Sequence, residues 1–401
     1  MTADFCTATT TAARAALIEH QRAALTEREA TIRAFACYDP KAAVRDDGPL
    51  AGALFGVKDV IATADFPTRY GMAEDVGPRE DAWCVARLRR LGATLLGKTT
   101  CTAFGYPLPG PTTNPHDTAR TPGGSSSGSA AAVAAGFVSF AFGTQTAGST
   151  IRPASYCGIV GFKPSYGLLP LEGVQAIAPT LDHLGVFAAS PRDVWYLVSA
   201  MVMPRAEVAS GRRPNRLLVL RLPPQLPLEE DYAARIEAAS ARLQGQGIQV
   251  ATQDLPFPVD DFRNLQKELC YWEAARTILP PCRVRPVPEL EILLERYRRD
   301  DLSHYGAARR RRQAYQVQFD DLAGEYDAVV LPAATAAAPI MSDTGDAIMS
   351  RFWTALHVPA ISLPVLCDNQ GLPLGLQLLA RLGMDRSLIE ISQWIFERLG
   401  P

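Results

Sequence analysis

The chain has 401 residues, 47% of them apolar, and a formal net charge of -2. That length suits one large domain or two fused ones, and that composition is ordinary for a globular protein. The charge gives no reason to expect nucleic acid or an anionic membrane as partner, and the longest apolar stretch, around Ala130–Phe142, is too short to span a bilayer.

Read in chain order, residues 1–36 have helical apolar spacing and strong helix formers. The stretch LAGALFGVKDVIA (50–62) predicts a buried strand running into a turn. AWCVARLRRLGATLLG (82–97) predicts an amphipathic helix, a glycine stop and a strand, which is one β-α-β rhythm. PLPGPTTNPHDTARTPGGSSSGS (107–129) is irregular by composition, yet it opens directly into AAAVAAG. A helix of alanines packs closely against its neighbours, so this one is expected to be central and buried. FVSFAFGTQT reads as a strand, and AGSTIRPASYCGIVGFKPSYG as a second small-residue loop. Residues 205–325 are more charged and predict surface helices. There the run Arg309–Arg312 reads as a solvated helix face more readily than as an anion site. Strands are expected at 326–335 and 358–366, and a closing helix at 386–399. The alternation of strands and helices indicates an α/β fold.

The eight cysteines are scattered, with no C-x-x-C pair and no Cys/His cluster at zinc-ligand spacing. They read as buried apolar residues in a reducing compartment. The first residues lack a positive stretch followed by an apolar run. A cytoplasmic location, no metal and no cofactor are therefore expected.

Lysine occurs only five times, at positions 41, 58, 98, 163 and 267, against thirty-five arginines. Arginine cannot deprotonate, whereas a buried lysine becomes a neutral base. Lys58 sits in an apolar stretch that suits this. Two loops of small residues, Pro122–Ser129 (PGGSSSGS) and Gly143–Pro153 (GTQTAGSTIRP), allow close backbone approach and leave N–H groups free for an anion. Neither loop has a phosphate-binding pattern, so a developing oxyanion is the other candidate. GSSSG (124–128) also satisfies G-x-S-x-G, with Ser126 at its centre, but no strand precedes it, as a nucleophile elbow requires. His183, beside Asp182, is expected to serve packing. Lys98 and Lys163 are expected to hold loops.

The motifs LAGALFGVKDV, LGATLLGKTT, TNPHDTARTPGGSSSGSAAAVAAG, GTQTAGSTIRPASYCGIVGFKPSYG and APTLDHLGVFAAS occur in this order. Together with VPAISLPV and GLPLGLQLLA they resemble the amidase signature family. The resemblance runs from about residue 50 to the end and is weakest over 205–325. It implies a central twisted mixed β-sheet surrounded by helices. It also implies one amidase domain over 1–401, with an N-terminal helical segment (1–45), a signature core (50–200), a variable, more helical region (205–325) and C-terminal elements completing the core (326–401). Residue by residue it implies Ser149 as nucleophile, Ser125 as relay serine after a cis peptide bond, and Lys58 as base. The oxyanion hole falls on the backbone N–H groups of Thr146, Ala147, Gly148 and Ser149. Ser–Lys pairs are a known variant of triad logic.

Ser127 stands where glycine is frequent and Gln145 where Asp is commonest. Arg152 comes one place later than in G-S-x-R. These mark a subgroup with a GTQT-x-GS-x-I-R-P loop. Arg152 either binds a substrate carboxylate or plays a structural role. Tyr106 and Gln175 are further pocket candidates, from segments 103–112 and 170–180; segment 335–355 is the third such source. The expected function is hydrolysis of a C–N acyl bond in a small or aryl amide, a carbamate or a urea-like substrate, by a monomer or homodimer. The alternatives are the glutamine-hydrolysing subunit of a transamidation complex and a non-catalytic binding module, the last disfavoured by the filled catalytic positions.

Overall fold

The computed structural model describes residues 4–73, 75, 79–105, 109–278, 287–299 and 302–400. Among them, eleven strands form one sheet: β1 (Phe35–Tyr38), β2 (Leu54–Lys58), β3 (Thr94–Thr99), β4 (Phe140–Gln145), β5 (Val160–Lys163), β6 (His183–Ala188), β7 (Arg216–Arg221), β8 (Gln249–Asp254), β9 (Ala328–Pro332), β10 (Ala360–Cys367) and β11 (Pro373–Leu379). The order across the sheet is β1-β3-β2-β4-β6-β5-β10-β11-β9-β7-β8. Parallel pairing joins β2 to β3 and β4, and β7 to β8 and β9; the other neighbours are antiparallel. The expected mixed sheet is observed.

The helices among the described residues are α1 (Thr11–Ile32), α2 (Trp83–Arg90), α3 (Ser127–Ala134), α4 (Ile151–Tyr156), α5 (Pro191–Val202), α6 (Glu230–Gln244), α7 (Val259–Thr277), α8 (Pro288–Arg298), α9 (Leu302–Ala323), α10 (Ile348–Ala355) and α11 (Asp385–Leu399). None of them is long and apolar enough to cross a membrane.

The middle of the sheet is apolar on both faces. Every residue of β2, β4, β5 and β6 is buried, as strands covered by helices on both sides require. Helix α3 is the central small-residue helix, and seven of its eight residues are buried. A Cβ at Gly128 would come within 2.1 Å of the Ala34 carbonyl oxygen and 2.5 Å of the Thr100 nitrogen, so backbone meets backbone there and only glycine fits.

Two expectations change. Residues 147–167 are not one loop. The short helix α4 and the strand β5 are cut from them, with Gly158 at φ 61° ending the helix. The region 205–325 is also not simply helical. It supplies β7 and β8, which extend the sheet at one edge; β7 is buried at its four central residues, whereas β8 is largely exposed.

Candidate active site

Strands β2 and β4 are parallel neighbours, with Phe55 opposite Phe140 and Val57 opposite Phe142. Their carboxyl ends lie side by side, the usual place for a site in a sheet of this kind. Lys58 is the last residue of β2 and Thr144 the penultimate residue of β4. Residues 146–150 follow β4 directly, and Ser125 immediately precedes the cap of α3. Three separate segments thus deliver their side chains to one point.

Lys58 is fully buried. Its Nζ donates to Ser125 Oγ at 2.7 Å and to Thr144 Oγ1 at 2.8 Å. Ser125 Oγ donates in turn to Ser149 Oγ at 3.2 Å. The peptide bond between Gly124 and Ser125 is cis. Burial lowers the Lys58 pKa to about 8, against weaker upward pulls from Cys101 and Asp182. Thr144, which the sequence did not single out, gives the amine a second hydroxyl acceptor besides Ser125.

Among the described residues, the N–H groups of Ala147, Gly148 and Ser149 have no partner within the protein. The turn that presents them is held from three directions. Gln145 Oε1 accepts the N–H groups of Thr150 (2.8 Å) and Ile151 (3.0 Å), while its Nε2 donates to Thr354 Oγ1 at 3.0 Å. Gln266 Nε2, from α7, donates to the Thr146 carbonyl at 2.8 Å. Thr146 Oγ1 donates to Asp182 Oδ1 at 2.5 Å, and Asp182 also accepts the N–H groups of Ile177 and Ala178. Burial raises the Asp182 carboxyl to about 7. A Cβ on Gly148 would sit 2.9 Å from Ala347 Cβ and 3.1 Å from Ser350 Cβ, so helix α10 packs on the turn itself.

A cavity of about 140 Å³ opens over Ser149, with Ser125, Thr146 and Ala147 on its floor. Much of its lining is one apolar cluster: Phe104, Ala274, Ile278, Leu290 and Leu294, with Ile177 packed against it. The lining also includes Arg152, Arg351 and Gln266. All three segments named from the sequence reach the cavity: 103–112 through Phe104 and Gly105, 170–180 through Ile177, and 335–355 through Gly345, Ala347 and Arg351. Helices α7 and α8, read from the sequence as surface helices, contribute Gln266, Cys270, Ala274, Leu290 and Leu294.

The remaining sequence candidates fall as follows. Arg152 is 5% exposed, and its Nη2 donates to the Gly124 carbonyl at 2.5 Å, next to Ser125. Gln175 does not line the cavity. It is partly buried and donates to the Ala176 carbonyl, and Ile177 takes the place in the wall. Tyr106 lies outside the described residues. Ser126 is fully buried and exchanges hydrogen bonds with the Thr144 backbone, so the elbow serine is turned away from the cavity. His183 contacts the Leu181 carbonyl through Nδ1 and makes no pair with Asp182. Lys98 reaches Thr68 and Asp59, and Lys163 reaches the Val358 and Pro164 carbonyls, both as loop anchors.

The family model described as Amidase matches residues 8–389, and the chain belongs to that family. It is similar to a glutamyl-tRNA(Gln) amidotransferase subunit from Treponema pallidum, at 31% identity over 414 residues, covering 86% of this chain and 81% of that protein. The protein of the same name from Koribacter versatilis is 29% identical over 410 residues, with 86% and 84% covered. A crystal structure of an amidase superposes with a TM-score of 0.82 at 27% identity, covering 96% of each chain.

Proposed function

We propose that the protein hydrolyses a C–N acyl bond through an acyl-enzyme on Ser149. The observation that carries this reading is the unbroken hydrogen-bonded chain from buried Lys58 through Ser125 to Ser149 at the floor of a cavity. Ser149 Oγ attacks the carbonyl carbon. Its proton passes to Ser125 Oγ as the Ser125 proton passes to neutral Lys58 Nζ. The carbonyl oxygen, now an oxyanion, meets the free N–H groups of Ala147, Gly148 and Ser149, with Thr146 beside them. Collapse of the adduct breaks the C–N bond. The proton on Lys58 returns through Ser125 to the departing nitrogen, leaving an ester on Ser149. Water then attacks that ester by the same relay run with water in place of Ser149, releasing the acid.

Two fuller readings share this chemistry. The names of the relatives favour the glutamine-hydrolysing subunit of an amidotransferase complex over a stand-alone enzyme. The apolar wall of Phe104, Ile177, Ala274, Ile278, Leu290 and Leu294 favours a small or aryl amide, carbamate or urea-like substrate. A cytoplasmic setting belongs to both readings, supported by cysteines that are all unpaired among the described residues. The test is release of ammonia or amine from a panel of amides, carbamates, ureas and esters, with Ser149→Ala as the blank. Native mass spectrometry of the protein isolated from its own cells separates the two: a stable heterologous partner supports the complex-dependent reading, and its absence with turnover of aryl amides supports the stand-alone one.

A further inference from the structure

The cavity over Ser149 is lined by two guanidinium groups and, among the described residues, by no carboxylate. The two arginines are not equivalent. Arg152 is engaged with the Gly124 carbonyl, behind the relay serine. Arg351 projects from α10, keeps 19% of its side chain exposed, and makes one ion pair among the described residues, Nη1 to Asp346 Oδ1 at 2.8 Å. Asp346 is 45% exposed and does not line the cavity, so Arg351 is held from the solvent side and is itself the member of the pair that lines the cavity. The Arg351 charge is also felt by its neighbours. Burial first and then Arg351 hold the Lys267 ammonium below its ordinary pKa.

A cavity whose described lining holds two guanidinium groups and no carboxylate favours anionic substrates over cationic ones, even with Arg351 partly balanced by Asp346 outside it. The planar fork of a guanidinium matches a carboxylate with two parallel hydrogen bonds. We propose that Arg351 determines specificity by binding a carboxylate on the substrate, so that the substrate class is an amide whose acyl part carries a second, anionic end. The apolar wall holds the spacer between the two ends. This inference rests on the amide-hydrolase reading above and names its substrate class.

The experiment compares matched pairs differing only in the carboxylate: succinamate with butanamide, glutaramate with pentanamide, and 4-carbamoylbenzoate with 4-methylbenzamide. The wild type is expected to prefer the acidic member of at least one pair by about 10-fold or more in kcat/KM, as expected for hydrogen bonds to a charged group. Arg351→Met should lower that acid-to-neutral ratio about 10- to 100-fold, and Arg351→Lys should retain part of it. Succinate, glutarate and terephthalate should also slow fluorophosphonate labelling of Ser149 in the wild type and not in Arg351→Met, a readout independent of turnover. Equal use of both members, or equal losses on both in Arg351→Met, would overturn the proposal and leave amide hydrolysis standing. A protein that turns over no amide and takes no label on Ser149 would overturn the underlying reading instead.

Discussion

Lys58 Nζ and Ser125 Oγ stand 2.7 Å apart, with the amine fully buried and a second hydroxyl, Thr144 Oγ1, at 2.8 Å. A buried ammonium with no carboxylate in contact among the described residues gives up its proton more readily than one in water, and its lone pair then faces Ser125. Arginine cannot do this, because guanidinium stays charged. Lys58→Arg is therefore expected to lose as much amide turnover as Lys58→Ala, several orders of magnitude in kcat. Circular dichroism on the arginine variant checks that the larger head group has not unfolded the tight site. Substantial activity in a folded Lys58→Arg protein would mean that the position supplies only charge.

The same lysine sets a pH dependence. Its pKa is lowered to about 8, so the neutral base is scarce below that pH and predominates above it. Activity is expected to rise as pH increases through about 8 and then level off, the apparent pKa being that of the coupled Lys–Ser–Ser unit. Stopped assays of kcat/KM between pH 6 and 10 check this. A profile that falls across that range contradicts a neutral lysine base.

Arg152 holds the carbonyl of Gly124, the residue before Ser125. Arg152→Ala should leave that buried carbonyl unpaired and displace Ser125, costing about 1–3 kcal/mol of stability and lowering turnover of acidic and neutral amides alike. Denaturant unfolding together with kcat/KM on a matched acid–neutral pair measures both. A loss confined to acidic amides would assign substrate binding to Arg152.

Gln145 receives two buried N–H groups and donates to Thr354. Gln145→Ala leaves both N–H groups unpaired, an expected loss of about 2–4 kcal/mol. Gln145→Glu keeps the acceptor and should cost less. Urea unfolding of the two variants gives the comparison; equal losses would remove the acceptor role from the account.

Much of this site was legible because its groups sit in short chain-local motifs. GVKD carries Lys58 and the two small-residue loops carry Ser125 and Ser149, and each loop directly follows or precedes a regular element. Less legible was what the sheet and helices bring in from afar. Arg351 lies in IMSRFWTA, where one arginine among bulky apolar residues reads as a solvent-facing position on an amphipathic helix. Cys270, Ala274, Leu290 and Leu294 have the spacing of a core-facing stripe, and periodicity does not tell a core face from a cavity wall. Gln175 differs from Ile177 by two positions in an irregular turn, where no period says which side chain points inward. The strand β7 was hidden because RLLVLR is short and lies between charged helices, and α4 because six residues of a small-residue loop carry no visible repeat.

The proposed acyl-enzyme on Ser149 is tested most directly by intact-protein mass spectrometry with peptide mapping after treatment with a fluorophosphonate. A single adduct on Ser149 is expected, and no adduct in Ser149→Ala or Lys58→Ala on the same time scale. Ser149→Ala should remain folded, since losing one hydroxyl from a tight turn leaves the Gln145, Gln266 and Asp182 anchors in place. An adduct mapped to Ser126, or to Ser125 with Ser149 unmodified, would contradict the account.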